Sequence, residues 1–158
     1  MVSEAHIQAA YCNLVEDVVR SCGKVQLKVA GTSMVPALWP GDMVLVRRCN
    51  PEELRQNSIV VFRQKERLVV HRLMHWAEDC IVARGDAKAR YDEPVKACEV
   101  LGCVESVLRN GRPVSMRQSF WQDAVAAVLR RSDWWTQLYL RVNSRLRRLG
   151  IPGVTFGY

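Results

Sequence analysis

Between residues 24 and 114 the apolar residues fall into short blocks, each closed off by Gly, Pro, Asn or Asp, a pattern that suits short β-strands and little else. Val25, Leu27 and Val29 alternate with Lys24, Gln26 and Lys28, and Val- and Ile-rich runs follow at 43–46, 58–62, 68–73, 80–83 and 99–108. Punctuation at this spacing breaks any long helix. The region therefore predicts a mainly β domain, closed either as a barrel or as a pair of packed sheets.

The flanks follow a different period. From Ser3 to about Ser21, apolar residues at Ile7, Tyr11, Leu14, Val18 and Cys22 recur at steps of three and four, which predicts an amphipathic packing helix within 1–23, stopped by Gly23. Beyond the β region, residues 115–158 return to helical spacing. Trp121, Val125, Val128, Ser132, Trp135, Tyr139, Val142 and Leu146 form a stripe, and seven arginines between Arg117 and Arg148 face only Asp123 and Asp133. Two readings of 118–149 stand: a helix packed on the β domain or a second chain, or a helix lying on an anionic membrane surface with Trp and Tyr at headgroup depth. Arg109-Asn110-Gly111-Arg112-Pro113 reads as a turn, and the stretch from Gly150 to Tyr158 as irregular.

At 158 residues with 49% hydrophobic composition, one folded domain is the simplest expectation, and the formal charge of +7 favours an anionic partner. No nucleic-acid reading motif accompanies the arginines, so nucleic acid is not expected. The six cysteines show no C-x-x-C pair and no histidine at zinc-ligand spacing; scattered reduced thiols are expected, with no metal and no cofactor. The first residues lack the basic start, apolar run and cleavage site of a secretory signal, and no window approaches 18 uninterrupted apolar residues. The expected location is cytoplasmic, peripheral to the membrane if the C-terminal helix binds it.

Gly31-Thr32-Ser33-Met34-Val35-Pro36-Ala37-Leu38-Trp39-Pro40-Gly41-Asp42 places a serine at a break between two extended segments. Gly31 would supply a backbone conformation closed to other residues, and Pro36 and Pro40 fix φ on either side of Leu38. The loop is stiff, and Ser33 is presented in one geometry. A serine hydroxyl is a weak nucleophile until a base reaches it. His71, in the strand-like run from Glu66 to Leu73, is the natural base, since imidazole titrates near neutrality. His6 and His75 lie on less regular segments. Downstream, Asp86 and Asp92 occupy a loop after a strand, where a carboxylate could accept the other imidazole N–H and fix its tautomer.

Taken in order, G-x-S-M-x-P-x-L-x-x-G-D-x-V-L-V, Asn57 to Arg63, Val69-Val70-His71-Arg72, Ala83-Arg84-Gly85-Asp86 and Leu101-Gly102-Cys103-Val104 resemble the signal peptidase I and LexA-like serine peptidase superfamily over residues 24–108. Bacterial signal peptidases and LexA-like self-cleaving proteins carry lysine where this chain has His71. Histidine at that place makes the sequence similar to the archaeal and endoplasmic-reticulum signal peptidases. The resemblance implies coiled β-sheets, Ser33 as nucleophile and His71 as general base. By position it also implies Asp92 as the third member and Asp86 as a supporting or structural acid. An oxyanion hole would use the Ser33 backbone N–H and a second donor. Some relatives supply that donor as a hydroxyl two residues before the nucleophile, which is Gly31 here, so Thr32 or another backbone amide would serve instead. Met34 and Val70 would line a shallow pocket for small side chains beside an extended substrate.

The chain departs from signal peptidases in beginning with a short amphipathic helix rather than a transmembrane anchor, and its first 23 residues leave no room for a helix-turn-helix module. The expected function is a serine endopeptidase that trims a leader or precursor peptide. The alternatives are a non-catalytic peptide-binding or regulatory member of the same fold, and a protein that cleaves only itself, for example near Ala87-Lys88-Ala89.

Overall fold

The molecule, described here by a computed structural model over residues 4–114, starts with helix α1 (Glu4–Cys22) and continues as eight strands: β1 (Lys24–Lys28), β2 (Met43–Arg47), β3 (Ile59–Gln64), β4 (Arg67–Ala77), β5 (Cys80–Arg84), β6 (Val95–Lys96), β7 (Val100–Arg109) and β8 (Arg112–Val114). Single 3-10 turns occur at Pro51–Glu53 and Ala97–Glu99. All strand pairs are antiparallel. The helix foreseen over 118–149 lies outside the described residues.

Among the described residues, neither a closed barrel nor two separate sheets forms. Hydrogen bonding runs unbroken through one sheet in the order β1-β2-β7-β3-β4-β5-β6, with β8 added to β7. The apolar run of β3 shows why one sheet suffices. Ile59 and Val61 join one core cluster with Leu27, Val44, Val46, Val104 and Val107, while Val60 and Phe62 join another with Leu73, Ile81, Ala83 and Val100. Successive side chains of a strand point to opposite faces, so both faces of β3 are covered. Truncating a side chain as enclosed as Phe62 would cost about 3–5 kcal/mol.

The helix packs through a different stripe from the one its spacing suggested. Cys12, Val15 and Val19 are buried, and Val15 and Val19 meet Leu27 and Val29; Ile7, Tyr11 and Leu14 are 58%, 48% and 61% exposed. The helix carries two apolar stripes, and the short β-branched one sits closer to the sheet. Further differences concern strand ends. β4 extends to Ala77 past a register shift between Leu73 and His75, so His75 is a strand residue. The predicted turn at 109–113 is the bend of a β7–β8 hairpin, with φ of 51° at Asn110 and 76° at Gly111, as a two-residue hairpin loop demands.

Candidate active site

The loop between β1 and β2 carries Ser33, and its ends are tied together. Val29 N–H donates to the Asp42 carbonyl and Gly41 N–H to the Val29 carbonyl, both at 2.8 Å, while Leu38 N–H reaches the Met34 carbonyl at 2.9 Å. Met34, Val35, Leu38 and Trp39 are buried beneath it. Asp42, itself 1% exposed, accepts the Trp39 N–H at 2.8 Å and both arms of the Arg109 guanidinium at 2.9 and 2.7 Å. A second bond from Arg109 Nη2, 3.3 Å long, ends on the Ala37 carbonyl. The loop is thus held by apolar burial from below and by a forked ion pair at its exit.

His71 stands on β4 opposite Val60 of β3, and only 2% of its surface is exposed. The Phe62 ring makes a T-shaped contact with it at a centroid distance of 6.3 Å. Its two nitrogens point in different directions. Nε2 lies 2.9 Å from Ser33 Oγ, and Nδ1 bonds the Asp92 carboxylate. An acid at Nδ1 selects the tautomer with the proton on that nitrogen, which leaves the Nε2 lone pair to accept the Ser33 O–H. Asp92 is placed by its own backbone, whose N–H donates to the Ala83 carbonyl at 2.9 Å, and its side chain is 7% exposed. The Lys88 ammonium stands 3.8 Å from its outer oxygen. Ser33 is half-buried and more open than the imidazole.

Asp86 pairs with the arginine that follows the histidine. It takes a forked bond from Arg72 at 2.8 and 2.7 Å, and Arg72 also donates to the Asn57 carbonyl at 2.9 Å. Arg72 neighbours His71 and Asp86 lies on the loop that delivers Asp92, so this pair joins the base's strand to the acid's loop. Met34, considered above as a pocket wall, is 2% exposed and belongs to the core cluster, with half-buried Val70 packed against the same cluster. Thr32 is half-buried, and its carbonyl accepts Val35 N–H at 3.2 Å. His75 is exposed and stacks edge-on with Tyr91, over which the Arg84 guanidinium sits 4.8 Å from the ring centroid.

The glycine that matters most is Gly85, which in the sequence is only one member of the Ala83-Arg84-Gly85-Asp86 block. Gly31 has no left-handed φ, and a Cβ there would meet nothing within 4 Å, so its presumed conformational role is not observed. Gly85 is the reverse case. A Cβ on it would lie 2.6 Å from the Ser33 carbonyl oxygen, 3.0 Å from Ser33 Cβ and 3.1 Å from His71 Nε2. Only a residue without a side chain lets the acid's loop lie against the serine, and the contact is sealed by the Ala87 N–H donating to the Ser33 carbonyl at 2.9 Å. Arg109 and Asp42 also escaped notice as site residues. Asp42 ends the G-D block and Arg109 begins a turn motif, but nothing in their order shows that they meet.

A buried acid, an imidazole and a half-open serine in hydrogen-bonded sequence form an arrangement able to generate an alkoxide-like nucleophile and return a proton to a leaving group. A family model described as Peptidase S24-like matches residues 2–104 of the 158. A search of the curated proteins found no match to the chain. With a mainly antiparallel β fold to accompany a match over most of its length, the chain belongs to the Peptidase S24-like family.

Proposed function

We propose that the protein is a serine endopeptidase that trims a leader or precursor peptide, with Ser33 as nucleophile, His71 as general base and Asp92 as the group that orients it. The observation that carries this reading is the 2.9 Å contact between Ser33 Oγ and His71 Nε2, made by an imidazole whose other nitrogen is held by a buried acid. As Ser33 Oγ bonds to the carbonyl carbon of the substrate, its proton passes to Nε2, and the Asp92 carboxylate stabilises the imidazolium. Nε2–H then protonates the leaving amine as the C–N bond breaks. Water, deprotonated by the same nitrogen, releases the acyl group and restores the serine. The oxyanion formed in each half is assigned to the Ser33 backbone N–H with Thr32 or a further backbone amide, donors each worth about 10²–10³-fold.

Small side chains near the cleaved bond would suit this reading, since Met34, next to the nucleophile, is buried in the core cluster rather than open as a deep pocket wall. The basic aromatic stretch 118–149 would bring the enzyme to an anionic membrane surface, where precursors with apolar leaders collect. No helix among the described residues is long and apolar enough to cross a membrane.

Incubation with a peptide library tests the chemistry. Wild-type protein should cleave a subset of peptides, and Ser33→Ala and His71→Ala should each reduce cleavage to background. A wild-type protein inert toward all peptides, or active mutants, would remove the assignment. Flotation with anionic vesicles, with and without 118–149, tests the surface reading: the full chain should float and the truncated one should not.

Self-cleavage is a second reading with a specific observation behind it. Ala87-Lys88-Ala89 runs beside the nucleophile, tied to it through the Ala87 N–H. Intact-mass measurement during prolonged incubation separates the two, since a Ser33-dependent break at this segment would mark the chain as its own substrate.

A further inference from the structure

Cys49 and Cys103 are 54 residues apart in the chain, yet their sulfurs approach to 2.8 Å. Cys103 occupies an interior strand, opposite Arg47 of β2 and Val60 of β3, and Cys49 follows β2 by two residues. Their meeting is built into the backbone. The neighbouring Gly102 would carry a Cβ 2.3 Å from the Arg47 carbonyl oxygen, so its missing side chain lets the end of β2 press onto β7. The pair sits at the rim of the cluster formed by Leu54, Val60, Phe62 and Val100, with Cys49 buried and Cys103 half-buried. Part of the Cys103 surface is open to small solutes.

We infer that Cys49 and Cys103 are a hydroperoxide-sensitive thiol pair that closes to a disulfide between the end of β2 and the interior of β7. The electrostatics assign different tasks to the two sulfurs. The hydrogen bond from Cys49 and the Arg47 guanidinium pull the Cys103 thiol below its ordinary value, against burial and Glu53. The same shared proton, together with burial, pushes the Cys49 thiol up. Cys103, the more accessible of the two sulfurs and the one whose thiol is drawn down, is assigned the first attack, through its thiolate. Its sulfur bonds to one peroxide oxygen, the O–O bond breaks, the peroxide is reduced to water (or an alcohol), and the sulfur becomes a sulfenic acid. Cys49 sulfur then attacks the sulfenic sulfur. The S–S bond forms as the S–O bond breaks, and a second water leaves with the Cys49 proton. Two thiols and one peroxide give one disulfide and two molecules of water, or one of water and one of alcohol. Closing the bond needs less than about 1 Å of further approach by the sulfurs.

The cross-link would enclose β3, β4, β5 and β6, with His71 and Asp92 inside the loop and Ser33 outside it. Cys22 and Cys98 are exposed thiols on the same chain and act as internal references.

The experiment is titration of the full chain with hydrogen peroxide, alkylation of remaining thiols, and peptide mapping without reduction. Expected are a mass loss of about 2 Da, a peptide joining Cys49 to Cys103, reversal by dithiothreitol, and faster loss of Cys103 than of Cys22 or Cys98. In Cys49→Ser, Cys103 should instead be trapped as a dimedone adduct or pass on to sulfinic acid. Disulfides formed mainly through Cys22 or Cys98, a wild-type Cys103 that oxidises to sulfinic acid while Cys49 stays alkylatable, or an unchanged mass loss in Cys49→Ser would each overturn the inference. The mapping of wild-type protein decides the matter even if the variant does not fold.

Discussion

Two loops bring chemistry to this site, and each is fastened by a forked arginine–aspartate pair, but the two pairs are anchored in different places. Arg109 holds Asp42 at the end of the β2–β7 ladder, where the loop that carries the nucleophile closes. Arg72 holds Asp86 from the position next to His71, on the strand that carries the base. One fastening therefore sets where the hydroxyl stands, and the other sets how base and acid face each other. The two halves meet at a seam where Gly85 lies against Ser33 and His71. Nucleophile and base can thus be displaced separately, and the seam is the place where a small change affects both.

Variants can break this contrast in order of expected effect. Asp92→Asn keeps the loop but leaves the imidazole without its proton acceptor, and kcat should fall by about 10²–10⁴-fold with little change in Tm; a near-normal rate would remove Asp92 from the mechanism. Gly85→Ala forces the seam apart, so kcat/KM should drop by about 10²-fold or more while circular dichroism stays native. Wild-type activity in that variant would mean the two loops need not touch. Arg109→Met strands the Asp42 carboxylate in the interior, and denaturant unfolding should register a loss of about 3–5 kcal/mol, much of it recovered when Asp42→Asn is added. Arg72→Met should combine a stability loss with a slower chemical step, and its unfolding free energy should add to that of Arg109→Met within about 0.5 kcal/mol. Strong coupling between them would contradict the independence of the halves. The smallest effect is expected for Gly31→Ser: the site has room for the side chain, so the protein should fold normally and cleave at no less than the wild-type rate.

Much of this was readable in the chain because strands as short as these are announced by their punctuation. Ser33, His71 and the two aspartates were readable because ordered blocks identify a superfamily more strongly than any one residue can. What escaped was tertiary. The face of α1 was misjudged because two apolar stripes run along it, and only contact with β1 chooses between them. The two-residue β6 is too short to carry a period, and the choice between barrel and sheet depends on how far the ladder closes. Gly31 attracted attention by standing near the serine in sequence, while Gly85 is near it in space. Arg109, Arg72 and the Cys49–Cys103 pair gain their meaning from partners 14 to 67 residues away.

The double-sided burial of β3 has a consequence for how faithfully the site is assembled. Most strands resist sliding because a one-position shift would turn their greasy side to water. Here both sides of Ile59-Val60-Val61-Phe62 are enclosed, and such a shift would trade one oily neighbour for another. Alignment must therefore be guarded elsewhere, and the tight bend of Lys65 and Glu66, with φ of 56° at Lys65, joins Gln64 to Arg67 at the mouth of the hairpin. Were that bend to lengthen by a single residue, Arg72 would arrive where His71 belongs, and a well-packed protein would carry a guanidinium in place of its proton acceptor.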